Sequence, residues 1–192
     1  MAESKTDVLL LILMGVVILL MIAIGGLFIR MNQLQREVLT ALAPLQGGTM
    51  EQEIGLERGM EAPVFTLPDT ARQMVALRDF AGQKVLLAFF STHCSACKAM
   101  YPHLKAFSEN QEDVQVVMIS QGSAEENRQL VQEQGFTFPV LPISGWDDPV
   151  IEEYQVPGTP FFYVIDGEGV IRNAGFAGTL EQLEILVEGG AE

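Results

Sequence analysis

The run Val8 to Ile29, "VLLLILMGVVILLMIAIGGLFI", restricts this chain more than any other stretch, because it contains no charged or strongly polar side chain. Its ~22 residues, at ~1.5 Å of helix rise each, reach about 33 Å, enough to cross a hydrocarbon core of roughly 30 Å. A cleavable signal peptide has a shorter apolar region, about 7–15 residues, closed by a small-x-small cleavage site. Here the run ends in Arg30-Met31-Asn32-Gln33. The sequence therefore predicts an uncleaved membrane anchor. Leu34, Val38 and Leu42 recur every four residues, so the helix is expected to continue briefly as a stalk, until Pro44 and Gly47-Gly48 break it.

With the anchor set aside, the remainder reads as one folded domain with its own core. The expected division is a tail over residues 1–7, a transmembrane anchor over 8–29, a juxtamembrane stalk over 30–58 and a domain over 59–192. The chain carries 25 Asp or Glu against 11 Lys or Arg, a formal charge of −14, with nearly all of the excess acid in the domain. Phosphate backbones would repel such a surface, so no nucleic acid is expected as a partner. Two cysteines cannot form a framework of structural disulfides.

From Met60 the pattern alternates between strands and helices. Strand candidates are Val64–Leu67, Val75–Leu77, Lys84–Phe90, Val114–Ser120, Phe161–Ile165 and Val170–Asn173, the last two joined by the turn Asp166-Gly167-Glu168-Gly169. Ser123-Ala124-Glu125-Glu126 and Thr179-Leu180-Glu181-Gln182 read as capping boxes that open helices. The fold class expected is α/β: a central mixed sheet with helices on both faces, preceded by one transmembrane helix.

The chemistry concentrates at Cys94-Ser95-Ala96-Cys97, where a buried strand gives way to a helix. Unpaired N–H groups and the positive end of the helix dipole favour a thiolate at Cys94. Such placement lowers a cysteine pKa from ~8.5 into a range of roughly 3.5–7.5. Cys97, one turn further in, faces the same side and can close a disulfide with it. Structural zinc needs four ligands, and the other soft candidates, His93 and His103, lie on the same short segment. Two inert buried cysteines fit poorly with a helix start at a sheet edge. His93 and Lys98 either lend positive charge or are ordinary surface residues. Further on, Thr159-Pro160 precedes an apolar strand to which proline cannot donate. Either Pro160 is a plain strand-starting trans residue, or the bond is cis beside the cysteines and leaves the Thr159 backbone free to pair with an extended substrate.

"Phe89-Phe90-Ser91-Thr92-His93-Cys94-Ser95-Ala96-Cys97-Lys98-Ala99-Met100-Tyr101-Pro102" resembles the active site of the thioredoxin fold, including a proline five residues after the second cysteine. Gly59 to Leu67 resembles the opening of its membrane-anchored, TlpA-like and peroxiredoxin-like branch. The anchor, Gly167 to Gly175 and Thr179 to Glu184 are similar to the MauD family of methylamine utilisation proteins. The resemblance implies a thiol-disulfide oxidoreductase with Cys94 and Cys97 as catalytic pair, Thr159 and Pro160 as substrate-binding residues, and no cofactor beyond the Cys94–Cys97 disulfide. It implies protein thiol or disulfide clients, a redox partner protein, and a domain held in the periplasm by a single pass through a bacterial inner membrane. A client such as the disulfide-rich small subunit of methylamine dehydrogenase is expected.

Two departures bear on that expectation. Thioredoxins place a buried aspartate six residues before the first cysteine, and this chain has Ala88 there. The dipeptide between the cysteines is Ser95-Ala96 rather than Gly-Pro. Alternatives from other classes are a thiol peroxidase of peroxiredoxin type, and a non-enzymatic assembly factor or copper carrier. The peroxidase pattern has proline seven and threonine three residues before the reactive cysteine, where this chain has Leu87 and Ser91.

Overall fold

The computed structural model describes residue 21 and residues 55–189. Among these no helix is long and apolar enough to cross a membrane. Apart from residue 21, the anchor expected over 8–29 lies outside the described residues, as does most of the stalk expected over 30–58. The domain's packing starts before Gly59, since Leu56 is already buried and its N–H donates to the Tyr163 hydroxyl at 2.9 Å.

Five strands form the main sheet, in the order β5-β4-β3-β6-β7. They are β3 (Lys84–Ser91), β4 (Val114–Gln121), β5 (Val140–Ile143), β6 (Phe161–Ile165) and β7 (Ile171–Gly175). β3, β4 and β5 run parallel, while β6 and β7 run antiparallel, so the sheet is mixed. Helices α1 (Ser95–Asn110), α2 (Ala124–Gln134), α3 (Pro149–Glu153) and α4 (Leu180–Glu188) complete the frame.

The continuous apolar run of β3 follows from burial on both faces. Leu86, Ala88 and Phe90 face one cluster with Cys97, Met100, Leu104 and Phe107 of α1, Leu130 of α2 and Leu183 of α4. Val85, Leu87 and Phe89 face the other cluster, with Val150 and Ile151 of α3, Tyr154, Leu77 and Leu56. β6 splits in the same way, Phe162 and Val164 to the first and Phe161, Tyr163 and Ile165 to the second. Helices thus cover both faces, as the alternation predicts.

The expected first two strands form a separate hairpin, β1 (Thr66–Pro68) with β2 (Met74–Ala76), outside the main sheet. Val64, expected in a strand, is exposed, and Leu77 opens a short 3-10 turn to Phe80. The hairpin tip covers the β5 edge, where Thr70 N–H donates to the Val140 carbonyl at 3.1 Å. On the opposite edge Gly59 N–H donates to the Ile171 carbonyl at 2.8 Å, and the Ile171 N–H returns to Met60. Both edges are therefore shielded from pairing with other chains.

β5 and α3 were not foreseen. Pro139 and Pro142 read as strand breakers, yet an edge strand tolerates proline on its unpaired side. α3 is too short to show a period; it is set by Asp148, whose carboxylate accepts the Val150 N–H, and by Pro149 at its first turn. The Ser123 capping box forms with both arms. The Thr179 box forms with one arm displaced: Thr179 accepts the Gln182 N–H, but the Gln182 side chain accepts from Gly178 instead.

Candidate active site

Sheet register decides what meets Cys94. Ser91, Gln121 and Ile143 end their parallel strands at one level, and Cys94 follows Ser91 by three residues. β6 runs antiparallel to β3, so its start, just after Thr159-Pro160, lies at the same edge. The Thr159-Pro160 bond is cis. Pro160 is buried, and Thr159 is half-buried. The Cys94 thiol donates to the Thr159 carbonyl at 3.4 Å. All four residues expected at the site thus converge.

Cys94 is the N-cap of α1, with extended backbone at φ −84° and ψ 122°. Its sulfur accepts the Cys97 N–H at 3.2 Å, one of the donors that a helix start leaves free. Cys94 is partly exposed and Cys97 fully buried, and both are free thiols. Partial burial works to raise the Cys94 thiol, but it is outweighed. The thiol and N–H of Cys97, the Thr159 hydroxyl and the Ala96 N–H all favour the anion, holding Cys94 below the usual thiol range. Burial pushes the Cys97 thiol up to about 12, reinforced by its hydrogen bond and charge interaction with Cys94. One sulfur is therefore open and readily ionised, and the other is sealed and protonated.

Cys97 packs in the same cluster as Ala88, at the place where a buried acid is expected in thioredoxins. Lys98 is exposed on the outer side of α1. His93 lies beside the carboxylate of Glu126, at 3.8 Å, and its ring nitrogen is 3.2 Å from the Thr92 hydroxyl. That carboxylate, bonded to Ser123, is held below its usual range. Among the described residues no group of three His, Cys, Asp or Glu side chains is placed to hold a metal ion.

Three features of the edge were not anticipated. Phe176, just past β7, is half exposed, sets its ring edge-on to Phe161 at 5.0 Å and lies beside Gly158. Trp146, three residues past the end of β5, is, with Phe176, one of two large exposed aromatics among the described residues. Gly122 closes in on the redox loop: a Cβ there would stand 2.6 Å from the Thr92 hydroxyl oxygen, on a backbone with φ of +149°. An aromatic directly after a strand, or a glycine directly after another, marks these positions in the sequence. Neither signal says which loop it will meet.

The family model described as AhpC/TSA family matches residues 59–174. The chain belongs to the AhpC/TSA family. Within this thioredoxin-like group it is 33% identical to the methylamine utilization protein MauD of Paracoccus versutus, over 89% of this chain and 85% of that protein. It is 30% identical to the thiol-disulfide oxidoreductase ResA of Bacillus cereus, over 73% of this chain and 82% of that one. Among solved structures, the thioredoxin domain of a thiol-disulfide oxidoreductase from Bacteroides vulgatus superposes with a TM-score of 0.61 at 25% identity, covering 69% of this chain and 99% of that domain. This AhpC/TSA member is a MauD-like, thioredoxin-like thiol-disulfide oxidoreductase.

Proposed function

We propose that the protein exchanges disulfides with protein clients through Cys94 and Cys97, from a bacterial inner membrane into the periplasm. The carrying observation is the asymmetry of the two sulfurs. Cys94 is reachable, caps α1 and rests on the Thr159 carbonyl, while Cys97 lies beneath it, out of solvent.

In the oxidised enzyme a client thiolate attacks Cys94, the Cys94–Cys97 bond breaks, and Cys97 leaves with the electron pair. A second client thiolate then displaces Cys94, so the client gains a disulfide and the enzyme holds two thiols. The reverse sequence reduces a client. Thr159 offers its backbone to an extended client segment, Pro160 holds that loop in place, and Phe176 beside Gly158 gives an apolar shelf next to it. A redox partner protein restores the starting state, and no cofactor is required beyond the cysteine pair.

The direction favoured here is disulfide formation in a narrow set of clients, such as the small subunit of methylamine dehydrogenase. Ala88 supports this, because a site without a buried acid deprotonates Cys97 slowly and so releases reduced clients slowly. Likeness to MauD, named for methylamine utilisation, supports the choice of client. The apolar run at residues 8–29 supports a single-pass anchor, and disulfide chemistry belongs on its oxidising side. Redox titration against glutathione tests the direction: a potential nearer −120 than −270 mV supports the donor role, and one at or below that of thioredoxin reverses it. A membrane-impermeant thiol reagent applied to intact, mildly reduced cells tests the side; labelling of Cys94 only after lysis would contradict it.

Family membership gives a second reading, peroxide reduction, some footing. Leu87 sits wholly buried in β3 where a peroxidase would carry its proline, and Ser91 replaces the threonine, its hydroxyl taken by the His93 N–H. Peroxide turnover faster than insulin-disulfide exchange would favour that reading.

A further inference from the structure

The loops that meet the cysteine end of the sheet are residues 92–94 after β3, 122–123 after β4, 144–148 after β5, 154–160 before β6 and 176–179 after β7. None of them holds a lysine or arginine. His93 faces Glu126, so the charge these loops carry lies in Asp147 and Asp148, side by side after Trp146. Asp147 is exposed; Asp148 is half-buried and accepts the Val150 N–H at 3.1 Å as the cap of α3. Neither aspartate is in an ion pair among the described residues.

Strand order sets where this loop stands relative to Cys94. β5 and β7 each lie two strands from β3, on opposite sides. At about 4.8 Å per strand, the loops bearing Trp146 and Phe176 leave the sheet roughly 10 Å to either side of the strand that leads to Cys94. Both aromatics present surface to solvent, Trp146 at 45% and Phe176 at 53%. An extended chain rises about 3.3 Å per residue, so some three residues on each side of a reacting cysteine span both loops. The two loops differ in chemistry. An indole face attracts cations, and the carboxylates next to Trp146 attract them further, whereas Phe176 lies beside Gly158 with no charge in its own loop. A chain with a formal charge of −14 also draws basic segments toward it.

We propose that clients dock as extended segments with two anchors flanking the reacting cysteine. An apolar side chain about three residues to one side rests on Phe176, and a lysine or arginine about three residues to the other is taken by the Trp146 indole and the carboxylates of Asp147 and Asp148. The proposal rests on the exchange reading above and names the class of client segment that reading leaves open. Exposed ion pairs add little affinity, but they steer encounter and fix register. The basic anchor therefore acts on the rate at which a client thiol reaches Cys94, and salt weakens it.

The test mixes the oxidised full-length protein with excess peptide thiol and follows loss of the Cys94–Cys97 disulfide by acid quench and mass spectrometry. The peptides carry a central cysteine with phenylalanine three residues to one side and lysine three to the other, in both orders, each with a counterpart in which glutamate replaces lysine. In one order the lysine peptide should react about tenfold faster per thiolate than its counterpart at low salt, and the gap should shrink severalfold near ~0.5 M salt. Asp147→Asn with Asp148→Asn, which keeps a cap for α3, should close most of that gap, as should Trp146→Ala. Mercaptoethanol, too small to reach either loop, should react at the wild-type rate with both variants. Glu61→Gln with Glu168→Gln removes the same charge at the far end of the sheet, where Glu61 bridges Val170, and should keep the gap. Equal rates for lysine and glutamate peptides in both orders overturn the docking and leave the exchange reading intact. So does a gap that the Asp147 and Asp148 changes leave alone, or one that the distant pair closes equally, which marks bulk charge. Reaction with mercaptoethanol but with no peptide contradicts the exchange reading itself, and the docking with it.

Discussion

The sulfur of Cys94 accepts the backbone N–H of Cys97 at 3.2 Å, so the reactive residue caps the helix that carries its own partner. This contact stabilises a thiolate at the first position, while packing in the cluster with Ala88, Met100 and Leu104 removes the second from solvent. Together they give the pair its order of reaction.

Alkylation should therefore separate the two cysteines. With the reduced protein near pH 6, iodoacetamide followed by peptide mapping should label Cys94 first, with a midpoint below the ordinary thiol value of ~8.5. Stability follows with opposite signs. Below ~8.5, down to the Cys94 value, the unfolded chain holds a proton that the folded chain has lost, so stability rises with pH. Between ~8.5 and about 12 the folded chain keeps the Cys97 proton and the unfolded chain does not, so stability falls. The Tm of the reduced protein minus that of the oxidised protein should rise and then fall across these windows.

Thr159 acts on Cys94 through its hydroxyl as well as its carbonyl. Thr159→Val keeps shape and backbone but removes a group that favours both thiolates. The alkylation midpoint of Cys94 should move upward, while mixed-disulfide formation with a peptide at saturating pH stays near wild type. An unmoved midpoint would show the hydroxyl to be idle.

Gly122 should tolerate no side chain. Gly122→Ala meets Thr92 at 2.6 Å on a left-handed backbone, against the loop that presents Cys94. A loss of about 1–3 kcal/mol is expected in urea titration, together with slower attack by Cys94.

Tyr163 ties the first described residues to the sheet, accepting the Leu56 N–H and donating to the Tyr154 carbonyl, both buried. Tyr163→Phe leaves those groups unpaired at nearly constant volume, so a loss of about 1–3 kcal/mol is expected. Hydrogen exchange should rise at Leu56, far from the cysteines in sequence.

Much of this was legible in the chain because the relevant forces are local. β3 and β6 announce themselves as apolar runs, since both faces are buried, and Cys94-Ser95-Ala96-Cys97 marks a strand-to-helix junction by motif. β5 was hidden because Pro139 and Pro142 argue against a strand unless it is known to lie at an edge. The shifted capping contact of Thr179 turns on which backbone N–H lies nearer the Gln182 side chain, a matter of loop path. Phe176 and Gly122 escaped for another reason: their roles arise only when packing brings the ends of β7 and β4 to the edge that carries the cysteines. No spacing rule in the sequence carries that information.

The central claim is that Cys94 exchanges with client thiols and Cys97 resolves the product. Cys97→Ala in intact cells, with thiols blocked by acid before lysis, should trap clients on Cys94 as covalent adducts that dithiothreitol releases, and Cys94→Ala should trap none. Adducts that form equally on both variants, or on Cys97 alone, would contradict the account.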